Sequence, residues 1–356
     1  MPVKNGKDQT PAIRLCGLAT AVPAFKLHQK DIMGRAAWLL PGVGTTTLSR
    51  MLPIYENAGI ETRYSCVPPD WYEKPHSWSE KNRLYLSNAL SLMERAVNGA
   101  AAAARISLSE VDAIVAVSST GIATPSLDAL LMQKLDLRRN VERSPLFGLG
   151  CAGGVQGLAR AETIARAEPG KTVLLVVVEL CGLTFRRNDN SNANIVATAL
   201  FGDGAAAALL RAGENGPAIE FSGEFSWPDS LDIMGWRVED DGLGVVFSRD
   251  IPSLTRQEFR DVVMGFLEER RLSLDDIDHF ACHPGGAKVL DALEAAFQMK
   301  PGGLAASRQV LRDYGNMSAV TVLFVLDQLL KDKASGRYLL SSLGPGFTAA
   351  FQTMLV

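Results

Sequence analysis

Residues Pro145–Ala167 read PLFGLGCAGGVQGLARAETIARA, and the fold turns on them. A short apolar run breaks at Gly148 and Gly150, Cys151 follows, and an alanine-rich segment with helical spacing begins near Val155. A strand running into a helix through a glycine turn is the joint of an α/β layered protein. Cys151 therefore precedes a helix N-terminus, where unpaired N–H groups and the helix dipole favour a thiolate. Glycines at 148, 150, 153 and 154 permit a tight turn and close approach of a substrate. A free cysteine is most often just a small packed apolar residue. The glycine-flanked joint turns the reading toward chemistry.

Outward from this joint, β-branched runs alternate with alanine- and leucine-rich stretches. The patterns predict strands over Ala113–Ser118, Thr172–Glu179, Ala205–Leu210 and Arg337–Ser341. They predict helices over Tyr85–Ala104, Leu127–Lys134, Val155–Ala167, Arg256–Glu269, Ala287–Gln298 and Ser318–Leu330. The uninterrupted apolar run Val173–Val178 implies burial on both faces, as in a sheet covered by helices on each side. At 356 residues the chain exceeds one comfortable core. A polar, proline-containing stretch, Arg211–Ala218, separates two portions of similar logic, with no literal repeat between them.

Two further residues stand at element ends. HFACH closes a short strand at His283, and alternation points His279, Ala281 and His283 one way, Phe280 and Cys282 the other. Cys282 is thereby removed as a rival nucleophile if His283 faces a pocket. Asn316, in YGNMSAVTVLFVL, precedes a helix. Most such asparagines merely cap, and most histidines at strand ends are structural. Cys, His and Asn in that order also describe papain-like proteases, but the signature around the protease nucleophile is absent.

Composition narrows the classes. The chain is 47% hydrophobic and 21% charged, with Lys+Arg 36 against Asp+Glu 39, net −3, and no basic stripe, which argues against nucleic acid as a partner. No apolar run approaches the roughly 20 residues of a membrane-spanning helix. The start, MPVKNGKDQTP, is polar, lacks the apolar core of a secretory signal and reads as a loose tail. Five scattered cysteines (16, 66, 151, 181, 282) without a C-x-x-C pair suggest reduced thiols in a cytoplasm. Four histidines offer no metal-ligand cluster.

Taken with GLGCAGG (148–154), ALFGDGAAA (199–207), HPGG (283–286), GNMS (315–318) and LGPGF (343–347), the sequence resembles a type III polyketide synthase, the chalcone synthase-like branch of the thiolase superfamily, over nearly its whole length. The resemblance implies a five-layered αβαβα sandwich of two similar halves, residues 1–220 carrying the nucleophile and 221–356 carrying His and Asn. It implies acyl-CoA and malonyl-CoA as substrates, no cofactor and a homodimer. Cys151 would hold the growing acyl chain. His283, as an imidazolium, would keep it a thiolate, and His283 with Asn316 would stabilise the enolate left by decarboxylation.

The same resemblance assigns Phe201 as one gatekeeper and places the second at Val245, implying a wider passage. Cys181, Thr184, Val245 and Ser318 would line the cavity with Thr120. The loop around Thr124 would reach the partner's cavity, and Gly344-Pro345-Gly346 would shape the floor. At the CoA entrance Arg50 matches one basic position, Pro53 and Asn57 do not match the others, and Lys288 is a replacement candidate. Without the family, Phe201 and Cys181 read as packed core residues and Lys288 as a solvated helix lysine. The small Val245, Cys181 and WYEKPHSW (71–78) point to a fatty acyl starter and an alkylpyrone or alkylresorcinol product. The alternatives are malonyl or aromatic priming, a carrier-protein-dependent ketoacyl synthase, and a non-catalytic lipid-binding member.

Overall fold

The Val173–Val178 run lies in a strand whose nine residues are all buried, as sandwiching between helices requires. The structure, a computed structural model, describes residues 11–356. The polar start read as a loose tail falls on residues 1–10, outside the described residues. The strands are β1 (Ile13–Ala21), β2 (Phe25–His28), β3 (Thr62–Ser65), β4 (Val111–Val117), β5 (Glu142–Leu146), β6 (Thr172–Leu180), β7 (Asp203–Ala212), β8 (Ala218–Ser226), β9 (Met234–Glu239), β10 (Gly242–Phe247), β11 (His279–Cys282), β12 (Arg337–Gly344) and β13 (Thr348–Leu355). β2 pairs with β3 and β9 with β10 as separate two-stranded ribbons.

The other nine run in the order β11-β12-β13-β8-β1-β7-β6-β4-β5, and β1 meets β8 through a single register pair, Arg14 with Ala218. On either side of that narrow joint the pattern repeats. β4 is parallel to β6, β6 antiparallel to β7, and β7 antiparallel to β1; β11, β12, β13 and β8 follow the same sequence of directions. Each set also has a long helix before its first strand of that series, Trp78–Ala104 and Ile251–Glu268, and a central helix before its second, Gly153–Ala167 and Thr321–Lys331. A duplication invisible as sequence identity is plain as topology.

Three apolar cores separate the layers. Ile114, Leu174 and Val176 meet Ala89, Met93 and Ala96 of the 78–104 helix on one outer side. The alternate residues Val115, Val173 and Leu175 face inward, onto Val155 and Leu158 of one central helix and Val322 and Leu326 of the other. Leu340 and Ala350 close that core from the second sheet, whose other face, through Leu339 and Phe351, packs on Phe259 and Val263 of the 251–268 helix. Strand alternation thus builds helix, sheet, paired helices, sheet, helix: five layers.

Candidate active site

The site forms where the two central helices begin. The chain leaves β5, turns through Gly150–Ala152 and enters the helix at Gly153. Gly150 has φ +47, and a Cβ there would lie 2.5 Å from Pro345 Cδ. The Gly344-Pro345-Gly346 turn therefore packs directly under the cysteine turn. A Cβ on Gly154 would lie 2.2 Å from the Ala319 carbonyl oxygen, so glycine lets the first central helix press on the turn Ser318–Val320 that opens the second. Across this contact the Cys151 thiol donates to Ser318 Oγ at 3.6 Å. Ser318 holds a left-handed backbone (φ 49), uncommon for a non-glycine residue and typical of functional turns.

Asn316 is fixed on all sides. Its backbone N–H donates to Leu200 O (2.8 Å) and its carbonyl accepts from Gly202 N (3.0 Å), which pins Phe201 beside it. Its side-chain oxygen accepts from Ser318 N at 2.8 Å, and its Nδ2 donates to Gly285 O at 3.1 Å. The cap-like and functional readings are therefore both realised. One amide oxygen orders the turn, and Nδ2 keeps a second N–H beyond its bond to Gly285. Gly285 in turn donates its N–H to the His283 carbonyl at 3.1 Å. These bonds join Cys151, Ser318 and Asn316 to the main chain of Gly285 and His283.

His283 immediately follows β11, fastened by its backbone N–H to Ser341 O at 2.8 Å. The residue is 4% exposed, and neither ring nitrogen has a hydrogen-bond partner. Alternation holds as expected. Ala281 faces the central core, whereas Cys282 packs in the outer one and accepts a bond from Ser341 Oγ at 3.2 Å.

Burial dominates the electrostatics of the site. Burial pushes the Cys151 thiol up to about 12, against smaller lowering by Ser318 and Asn316 and a further rise from Glu179. Burial brings the His283 imidazole down to about 3. Both shifts favour uncharged forms. Burial thus works against the thiolate–imidazolium pair that the family resemblance implies, and in the direction opposite to the helix dipole.

Glu179 is the residue that a reading of the sequence misses. It ends the apolar run of β6, is fully buried, and accepts from Ser119 N (3.0 Å) and from Thr120 Oγ1 (2.7 Å). Burial raises its carboxyl to about 8. The available signal is a lone acid ending six uninterrupted aliphatics. Thr120 is thus part of the Glu179 network, and its hydroxyl also accepts from Leu180 N at 2.9 Å.

Cys181, Thr184, Phe201 and Val245 line one narrow cleft. Phe201 packs against Phe247 (5.7 Å between centroids) and Trp236 (6.3 Å). Phe247, two residues beyond Val245, is an aromatic neighbour of Phe201 that does not itself line the cleft. Thr184 Oγ1 donates to Cys181 O at 2.7 Å. Ser318, Thr120 and the 344–346 loop, expected to line or shape the cavity, do not line this cleft, nor do Cys151, His283, Asn316, Thr124, Arg50 or Lys288.

Two matched α/β halves, with Cys151, Asn316 and His283 buried in them, make the frame of a thiolase-fold condensing enzyme. Comparison with known proteins agrees. The sequence models of the chalcone and stilbene synthases match residues 60–214 (N-terminal domain) and 219–356 (C-terminal domain). A putative chalcone synthase of Bacillus subtilis is 36% identical, covering 94% of this chain and 96% of its own. The 1,3,6,8-tetrahydroxynaphthalene synthase of Streptomyces peucetius is 38% identical, covering 93% and 90%. Among solved structures, PKS-I of the brown alga Ectocarpus siliculosus superposes with a TM-score of 0.92 at 25% identity, over 98% of this chain and 99% of its own. The chain belongs to the chalcone and stilbene synthase family, the type III polyketide synthases. It is an acyltransferase of decarboxylative carbon–carbon bond formation, and the protease and non-catalytic readings fall away.

Proposed function

We propose that the protein loads a fatty acyl group from CoA onto Cys151, extends it with malonyl-CoA units, and cyclises the product to an alkylpyrone or alkylresorcinol. The observation that carries this reading is the cleft beyond Cys181. Leu27, Ile32, Leu39, Tyr72 and Phe185 line it together with Phe201 and Val245, so it offers an alkyl tail an apolar bed.

In this reading His283 takes the Cys151 proton as sulfur attacks the acyl thioester, then gives it to the departing CoA thiolate. The incoming malonyl thioester oxygen accepts from His283 and from the remaining Asn316 N–H. Loss of CO2 leaves an enolate whose charge these donors stabilise. Its carbon attacks the Cys151-bound carbonyl, and the C–S bond breaks to free the sulfur. CO2 release supplies the carbanion, so the reading calls on no metal or redox cofactor. Arg50 and Lys288 are proposed to meet CoA phosphates at the entrance.

The reading includes a cytoplasmic homodimer, with the loop around Thr124 reaching the partner's cavity. β5 leaves one edge of its sheet unpaired, and Ile122 (48% exposed) and Phe147 (59% exposed) add apolar surface. Light scattering tests this; a monomer at micromolar concentration contradicts it. Among the described residues no helix is long and apolar enough to cross a membrane.

Malonyl priming is the second reading, favoured by the relatives named for tetrahydroxynaphthalene. Incubation with malonyl-CoA plus acyl-CoA starters of graded length, followed by product mass analysis, separates the two. Products retaining the alkyl tail support fatty acyl priming; products from malonyl-CoA alone, whatever starter is added, reject it. Activity with acyl-carrier thioesters but not with CoA thioesters would instead favour carrier dependence.

A further inference from the structure

The apolar cleft ends against a surface groove, and the partition between them is small. The cleft is narrow, about 60 Å³, and the groove beyond it, bordered by Lys26, His28 and Lys30, is about 390 Å³. Leu27, Ile32, Arg35 and Pro69 line both. Arg35 sits between the short helices Gln29–Gly34 and Ala36–Leu39, and its Nη1 reaches across to Asp70 Oδ1 (2.7 Å) and Glu73 Oε1 (2.6 Å). Asp70 and Glu73 belong to the turn Pro69–Glu73, which also supplies Pro69 and Tyr72 to the cleft wall. One guanidinium thus ties the two walls together where the cleft would open to the groove.

The volumes say what this closure does. The cleft is thus far narrower than the groove beyond it, and an alkyl tail longer than the cleft would have to continue past Arg35 into that groove. The Arg35 side chain is 38% exposed and that of Asp70 is 80% exposed, and ion pairs in such settings contribute little net stability. An entering alkyl chain, gaining from each methylene it buries, can displace the tie.

We propose that Arg35 is the chain-length-determining residue of the starter site. Closed on Asp70 and Glu73, it limits the tail to the cleft; released, it lets a longer tail continue into the groove. The proposal rests on the fatty acyl reading above.

The test compares kcat/KM for hexanoyl-CoA and eicosanoyl-CoA, at saturating malonyl-CoA, in the parent, Arg35→Ala, Arg35→Lys and the double variant Asp70→Asn/Glu73→Gln. Arg35→Ala and the double variant are expected to raise the eicosanoyl-to-hexanoyl ratio about tenfold, the effect of two exposed ion pairs together. They do so mainly through KM, while Arg35→Lys keeps a ratio near the parent's. The double variant opens the closure from the other wall and decides the matter should Arg35→Ala fail to fold. An unchanged ratio in variants that turn over hexanoyl-CoA normally overturns the Arg35 role and leaves fatty acyl priming standing. A parent that extends neither starter overturns both.

Discussion

The two central turns occupy matching places in matching halves, yet they do opposite things with their hydrogen bonds. The first, Gly150–Ala152, carries a cysteine whose side chain has one weak contact, to Ser318 at 3.6 Å. The second, around Asn316–Val320, is held firmly: Asn316 uses its backbone N–H, its carbonyl, its side-chain oxygen and one of its two amide hydrogens within the protein. A nucleophile must reach substrate carbon, so loose contacts suit it. A donor that stabilises developing charge works best when its orientation is already fixed. In the proposed reaction, one scaffold used twice supplies a reactive end and a rigid end.

This contrast can be broken at either turn. Replacing the reactive end has the largest effect: Cys151→Ala is expected to reduce turnover by at least about 10⁴-fold with no loss of thermal stability beyond a few degrees. Retained turnover would move the nucleophile elsewhere. At the rigid end, Asn316→Ala is expected to lower malonyl decarboxylation about 10²–10³-fold while leaving acyl loading on Cys151 in place. Equal loss of both steps would deny the division of labour.

The packing between the turns comes next. Gly154→Val places atoms where the Ala319 carbonyl and Val322 already lie, and is expected to destabilise by about 1–3 kcal/mol in denaturant melts. Gly213→Ala, with open space around it, is expected to stay within about 0.5 kcal/mol of the parent. A silent Gly154→Val would mean the turns are less tightly apposed than described.

The smallest expected effect sharpens the electrostatic side. Glu179 is held up near 8 in the folded protein, above the ordinary carboxyl value of 4.5. Its contribution to stability is complete below the unfolded value and is lost as pH rises through about 8. Glu179→Gln cannot ionise, so the variant should gain stability relative to the parent between about pH 5 and about pH 9. Its Cys151 should also react faster with iodoacetamide at the upper pH, because the Glu179 charge raises the thiol. No pH-dependent difference in either measurement would place Glu179 outside the electrostatics of the site.

Much of this is legible in the amino-acid sequence alone. The glycine joint at 150–154 points to the nucleophile, and the Val173–Val178 run announces a sheet covered on both faces. Alternation in HFACH separates His283 from Cys282. The strands β1 and β13 escape such a reading because their role is set by pairing far along the chain, β1 with β7 and β13 with β8. In β1, Gly17 sits where a Cβ would lie 2.4 Å from Ala100 O of a distant helix, a constraint no local pattern reveals. Residue types also hide the duplication: β7 is nearly all alanine and leucine, while its counterpart β13 carries Phe351, Gln352 and Thr353. The near-complete burial of Cys151 and His283 depends on how the halves close over both groups, and spacing is silent on burial.

The most direct test is the acyl-enzyme itself. With an acyl-CoA starter and no malonyl-CoA, intact-mass and peptide analysis should find one acyl group per chain, attached to Cys151 and absent from Cys151→Ala. An acyl group on Cys181, Cys66 or Cys282, or a chain that condenses malonyl units while Cys151 stays free, would contradict the account.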